Sequence, residues 1–211
     1  MFFASSFASG FGLAAALIVA VGAQNIFVLR QGLRQRHVAP VVAFCALSDL
    51  LLVSAGVAGI GMLLHTLPGL VRQLTWGMSL GGAVFLSWYG ISAARRALAP
   101  GALVTGGAEG PDTLAGTMGR AAAFTYLNPH VYLDTVLLMG AVGGALPGGA
   151  RPLFVAGAAT ASALWFVVLG YGARLLGPVF ARPAAWRVLD SMVAAVMMVM
   201  AVMLAARSVG P

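Results

Sequence analysis

The sequence predicts an all-α integral membrane protein of six transmembrane helices, arranged as a 3+3 inverted repeat with helices 1 and 4 interrupted. Three observations lead there. The 211 residues are 61% hydrophobic and 8% charged, whereas a soluble domain of this size carries about 25% charged residues. The apolar residues gather into six runs of roughly 20 to 29 residues, each long enough to cross a hydrocarbon core about 30 Å thick. The fourth run is broken from within by Asn128, Pro129, His130 and Asp134. A proline there lacks the N–H that a helix in lipid cannot spare.

The first run, 1–29, has no basic flank before it and five further runs after it. It therefore reads as a retained helix, although Val21-Gly22-Ala23 has the look of a signal-peptidase site. Gly10 and Gly12 permit close helix approach, and Gln24 and Asn25 place two amides near its end. Arg30, Arg34, Arg36 and His37 follow as a short basic loop with Gly32 as its break. Arg30 is expected at the helix end, its head snorkelling to the interface.

The second run, 38–64, holds one formal charge, Asp49, with Cys45 one turn before it and Ser48 adjacent. At 1.5 Å per residue Asp49 lies about 17 Å into the helix, near mid-membrane. Gly56, Gly59 and Gly61 are positioned to bring a neighbouring backbone close, and 65–69 reads as a turn. The third run, 70–94, offers Gly77 and Gly81 as a packing face and Trp88 and Tyr89 as interfacial anchors. Residues 95–119 are rich in Gly and Pro and carry Glu109 and Asp112. They read as a solvated linker between two halves, 1–94 and 120–211, of one transmembrane domain.

In the fourth run, 121–146, Pro129 leaves the carbonyl of Thr125 without its helical partner. That carbonyl, the Asn128 amide and the His130 ring together make a polar pocket, with Asp134 four residues on and on the same face. A carboxylate near the bilayer centre costs about 2.5–3.5 kcal/mol on insertion scales, so something must offset it. The fifth run, 152–171, has Thr160 and Ser162 as its inner polar side chains. The sixth, 187–206, is rich in Met, read as packing against helices or lipid. Asp190 is expected to pair with Arg187 at the membrane surface.

Composition also excludes function classes. The net charge of +7 comes from Arg alone and reads as topogenic arginines and anionic lipid headgroups rather than nucleic-acid binding. A single cysteine, Cys45, rules out an internal disulfide and a CxxC redox pair. With no phosphate-binding GxxxxGK[ST] loop and no soluble domain, nothing implies ATP hydrolysis or a cofactor. Counted over six spans, nine arginines (30, 34, 36, 95, 96, 120, 174, 182 and 187) fall on one side and three (72, 151 and 207) on the other. The positive-inside rule then places the linker in the cytoplasm and both termini outside. A re-entrant first run gives a five-span alternative with the N-terminus inside.

Three blocks carry a resemblance: Gly22-Ala-Gln-Asn-Ile-Phe-Val-Leu-Arg-Gln-Gly-Leu-Arg34, then Cys45-Ala-Leu-Ser-Asp49, then Leu127-Asn-Pro-His-Val-Tyr-Leu-Asp-Thr135. In order and spacing they resemble the LysE/ArgO exporters of lysine and arginine, and the likeness covers essentially the whole chain. Members that export neutral amino acids typically have Pro-Gly-Pro where this chain has Gly22 to Asn25, which favours the basic-amino-acid branch.

The resemblance implies a secondary-active exporter of L-arginine and/or L-lysine in the cell membrane. Asp49 and Asp134 are the candidates for holding the substrate cation and for carrying the coupling proton. Gln24, Asn25, Asn128 and the half-helix N-termini are candidate donors to its α-carboxylate. Pro129 and His130 complete the candidate site. Expected partners are the amino acid, protons and membrane lipids, with a homo-oligomer left open.

Two other readings compete. Asp49, Asp134 and His130 could serve an exporter of another small cation or a divalent metal. Ser48 or Ser162 with a histidine could serve an intramembrane enzyme, although His37 and His65 lie at helix ends.

Overall fold

Pro129 and the glycines shape the bundle. In the computed structural model the described residues are 2–19, 22–59, 66–98 and 113–209, and every element among them is helical. The first run divides into α1 (Phe2–Ile18) and α2 (Ala23–Arg34), which meet at 83°. Then come α3 (Val38–Val57), α4 (Pro68–Leu98) and α5 (Leu114–Tyr126). After a break, α6 (Pro129–Val131) runs into a π-helical stretch, Tyr132–Leu138, and on into α7 (Met139–Gly144). The chain closes with α8 (Arg151–Gly172), a 3-10 turn (Ala173–Leu176), α9 (Gly177–Phe180) and α10 (Pro183–Val209). Both interruptions thus lie in the runs expected to carry them.

Among the described residues three helices are long and apolar enough to cross a membrane, at Val38–Val57, Arg151–Phe180 and Pro183–Ala206, and a fourth span results if α1 and α2 are taken as one. α10 lies along α4, α1 along α8, and α3 between α8 and the π-helical stretch with α7. Lipid offers no hydrophobic gain for apolar helix pairs, so close backbone approach must supply the attraction. A Cβ on Gly10 would stand 2.0 Å from the Phe154 carbonyl oxygen, and one on Gly157 2.1 Å from that of Phe7. At the α3 crossing a Cβ on Gly56 would stand 2.6 Å from the Val136 oxygen.

Several local expectations change. Gly32 does not break the basic loop; it sits inside α2, where a Cβ would fall 2.1 Å from the Gly170 oxygen. The turn is made instead by Gln35 and His37, both left-handed with φ 52°. A Cβ on Gly77 meets nothing and one on Gly81 only a Leu127 methyl at 3.9 Å; the close approach belongs to Gly82, 2.3 Å from the Leu127 oxygen. Tyr89 is buried and only Trp88 faces outward. The linker is shorter than its composition indicates, because the Thr113 hydroxyl accepts from Gly116 N (3.1 Å) and starts α5 early. Gly61, His65, Glu109 and Asp112 lie outside the described residues.

Candidate functional site

The break in the fourth run is built by three consecutive residues. Pro129 disfavours helical geometry at its predecessor, and Asn128 is extended at φ −101°, ψ 106°. The Asn128 side chain then accepts from His130 N at 3.1 Å, acting as the cap of a helix whose first residue is Pro129. Among the carbonyls freed around the break, that of Tyr126 accepts from the Tyr132 hydroxyl (3.1 Å), and the Tyr126 hydroxyl shares a hydrogen bond with Ser48 (2.9 Å). The π-helical stretch that follows carries Asp134; such bulges often mark functional sites in membrane and soluble helices alike.

Asn25 performs the matching service for the first run. Its Nδ2 donates to the Ile18 carbonyl (2.7 Å), tying the end of α1 to the start of α2, and its Oδ1 accepts from Trp165 Nε1 (3.3 Å). The α2 N-terminus has Gly22 as its cap residue, which has no side chain with which to cap the first turn.

A cavity of about 300 Å³ lies between these two breaks, at the lower end of the range for small-molecule sites. Gln24 and Asn25 line it from α2, Asp49 from α3, Asn128 and His130 from the fourth-run break, and Asp134 from the π-helical stretch. Pro129 is buried and does not line it. Elements from both halves of the chain thus bring six of the seven candidate residues to one space.

Ser162 of α8 donates to Asp49 Oδ2 at 2.5 Å, linking the two halves at the carboxylate. The sequence marks Ser162 as an inner polar residue without assigning it to this site. That isolation in an apolar helix was the available signal. Trp165, one turn further along α8, carried no such signal.

A second polar cluster lies away from the cavity. Arg30 does not snorkel to a surface; it is 2% exposed and its guanidinium pairs with Asp190 at 3.1 Å. Asp190 accordingly pairs with Arg30 and Arg96 (3.3 Å) rather than with Arg187. The α2–α10 proximity that makes this pair is invisible to local spacing. Among the described residues no three of His, Cys, Asp and Glu gather closely enough to hold a metal ion.

Comparison with known proteins gives a family match. The model of the LysE type translocator family matches residues 15–208. Proteins named "Putative amino-acid transporter" from Mycobacterium tuberculosis and Mycobacterium bovis are 47% identical over 186 residues, covering 88% of this chain and 90% of theirs. "Arginine exporter protein ArgO" of Yersinia enterocolitica is 41% identical over 202 residues, covering 94% of this chain and 95% of that one. No solved structure matches.

Proposed function

The chain belongs to the LysE family of translocators and is a transporter rather than an enzyme; from that premise we propose that it exports L-arginine and/or L-lysine across the cell membrane in exchange for protons. The observation that carries this reading is the composition of the cavity. It joins two carboxylates, Asp49 and Asp134, to the N-terminal turn of α2, which begins after Gly22. A basic amino acid is a zwitterion with an added cation. The carboxylates match its cationic groups, and the first turn of α2 with the Gln24 amide matches its α-carboxylate. Asn25 and Asn128 act chiefly by holding the two breaks open, since each amide is engaged there. His130, the ionisable neighbour of Asp134, sets the electrostatic environment of that carboxylate. The relative named as an arginine exporter supports the choice of cargo.

Export of a cation against an inside-negative potential costs about 2.3 kcal/mol per 100 mV. Returning one proton per substrate cancels the charge movement. Asp49 and Asp134 share the cavity, so one can hold the substrate cation while the other carries the proton.

The architecture behind this mechanism is six spans in a 3+3 inverted repeat, with α1–α2 and α5–α7 each counted once. The pairings support it: exchange of the halves converts α1 on α8 into α5 on α3 and α2 on α8 into α7 on α3, and leaves α3–α8 and α4–α10 paired with themselves. The arginine-rich ends are cytoplasmic and both termini external.

Radiolabelled arginine exchange and proton-gradient-driven efflux in proteoliposomes test the reading. Neutralising the substrate-binding carboxylate, in Asp49→Asn or Asp134→Asn, abolishes both activities. Neutralising the proton carrier spares exchange and abolishes driven efflux. Near-normal activity of both variants in both assays would return the two acids to a packing role.

A further inference from the structure

The arginine-rich end of the bundle holds charged groups that the cavity does not use. Arg30 of α2 reaches Asp190 of α10 at 3.1 Å and the Tyr89 hydroxyl of α4 at 3.3 Å. Arg96, two turns after Tyr89 on α4, reaches the same Asp190 oxygen at 3.3 Å and stands 5.8 Å over the Tyr89 ring. All four side chains are at most 5% exposed. Two guanidinium groups thus share one carboxylate inside a membrane bundle, where uncompensated charge is expensive and marks function more often than stability.

An aromatic layer lies beside this cluster. Phe124 of α5 packs against Phe27 of α2 at 5.0 Å, Phe85 at 4.8 Å and Tyr89 at 4.9 Å between ring centroids. Phe27 follows Asn25 by two residues, and Phe124 precedes Asn128 by four, so both rings belong to the arginine-rich side of the two breaks. Neither ring lines the cavity.

We propose that α2 is the inner gate of the transporter, latched shut by Arg30 on Asp190 and Tyr89. The inference rests on the transporter reading above. The sharing of Asp190 explains how such a latch can release. α4 and α10 pack along one another and are only lightly touched by α2. When α2 swings away, Arg96 stays on Asp190 and keeps it neutralised. Arg30 alone loses its partners, and it leaves at the basic end, where cytoplasmic water can solvate it. Phe27 departs with α2 and opens the aromatic layer.

Cys45, the single cysteine, is a built-in reporter. It is 0% exposed, within the same buried cluster as Ala23, Ile26 and Phe27 of α2. An impermeant cationic methanethiosulfonate, applied without substrate to membrane vesicles of each orientation, reads its exposure at either face. Arg30→Met keeps the apolar stem and leaves Asp190 with Arg96 as a neutral pair, so the protein should accumulate normally. The latch model expects Cys45 labelling at the arginine-rich face to rise at least tenfold, with Tyr89→Phe giving a smaller rise. Labelling of Arg30→Met at the wild-type rate overturns the gate. If Arg30→Met fails to accumulate, Tyr89→Phe decides, and a wild-type rate there overturns it. Because no amino acid is present, the labelling result stands apart from the arginine flux assays that judge the cargo.

Discussion

Gly56→Ala tests whether backbone contact between α3 and the π-helical stretch sets the distance between the two carboxylates. The added Cβ would lie 2.6 Å from the Val136 carbonyl oxygen and 2.9 Å from that of Thr135. Ordinary contact begins at 3.4 Å, so the crossing must open by about 0.8 Å, and backbone atoms have no rotamer with which to yield. Overpacking of this kind costs about 1–3 kcal/mol, and the better helix propensity of alanine returns up to about 1 kcal/mol. A net loss of about 1–2 kcal/mol lowers the folded-to-unfolded ratio by a factor of about 5–30. Asp49 lies two turns before Gly56 on α3, and Asp134 two residues before Val136. Forcing the crossing open therefore moves the acids relative to one another, and sub-ångström placement matters to any site that must grip one substrate. The thermal midpoint followed by tryptophan emission in detergent should fall, and arginine efflux in proteoliposomes should drop about tenfold or more. Gly12→Ala is the control, because nothing lies within 4 Å of its new methyl. A Gly56→Ala protein as stable as Gly12→Ala, with wild-type efflux, refutes the argument.

Ser162→Ala removes the 2.5 Å hydrogen bond to Asp49. Such bonds to charged groups contribute about 1.5–3 kcal/mol, so efflux should fall at least tenfold and Ser162→Thr should restore it; full efflux in the alanine variant would remove Ser162 from the site. Pro129→Ala restores a backbone N–H and lifts the restriction on Asn128, letting α5 continue through the break. The protein should accumulate normally while efflux is lost, and wild-type efflux would show that the break is dispensable. For orientation, cysteines placed at Gly107 and near Pro211 in a Cys45→Ser background report through an impermeant maleimide on intact cells. The reading expects labelling near Pro211 only, and the reverse pattern inverts the topology.

The membrane class, both helix interruptions and most of the cavity's polar residues were legible in the sequence because each is a local violation of a local rule. A proline inside an apolar run, or an aspartate at mid-helix, stands out against hydrophobic neighbours without any knowledge of what surrounds it. Glycine packing was legible only in kind. Gly10 and Gly56 do meet backbones, but Gly77 and Gly81 do not and Gly82 does, because the face a helix turns to its partner depends on that partner's position. The same limit explains Arg30, Asp190 and Tyr89, which spacing placed at the interface. Their burial depends on α2 folding back at its break until residue 30 lies beside residue 190. The link from Ser162 to Asp49 likewise joins residues 113 positions apart. Sequence alone determined which groups are too costly to leave in lipid without partners; only the tertiary structure decided which partners they have, since in a bundle of near-uniform apolar helices the pairing is set by long-range backbone fit rather than by any local pattern.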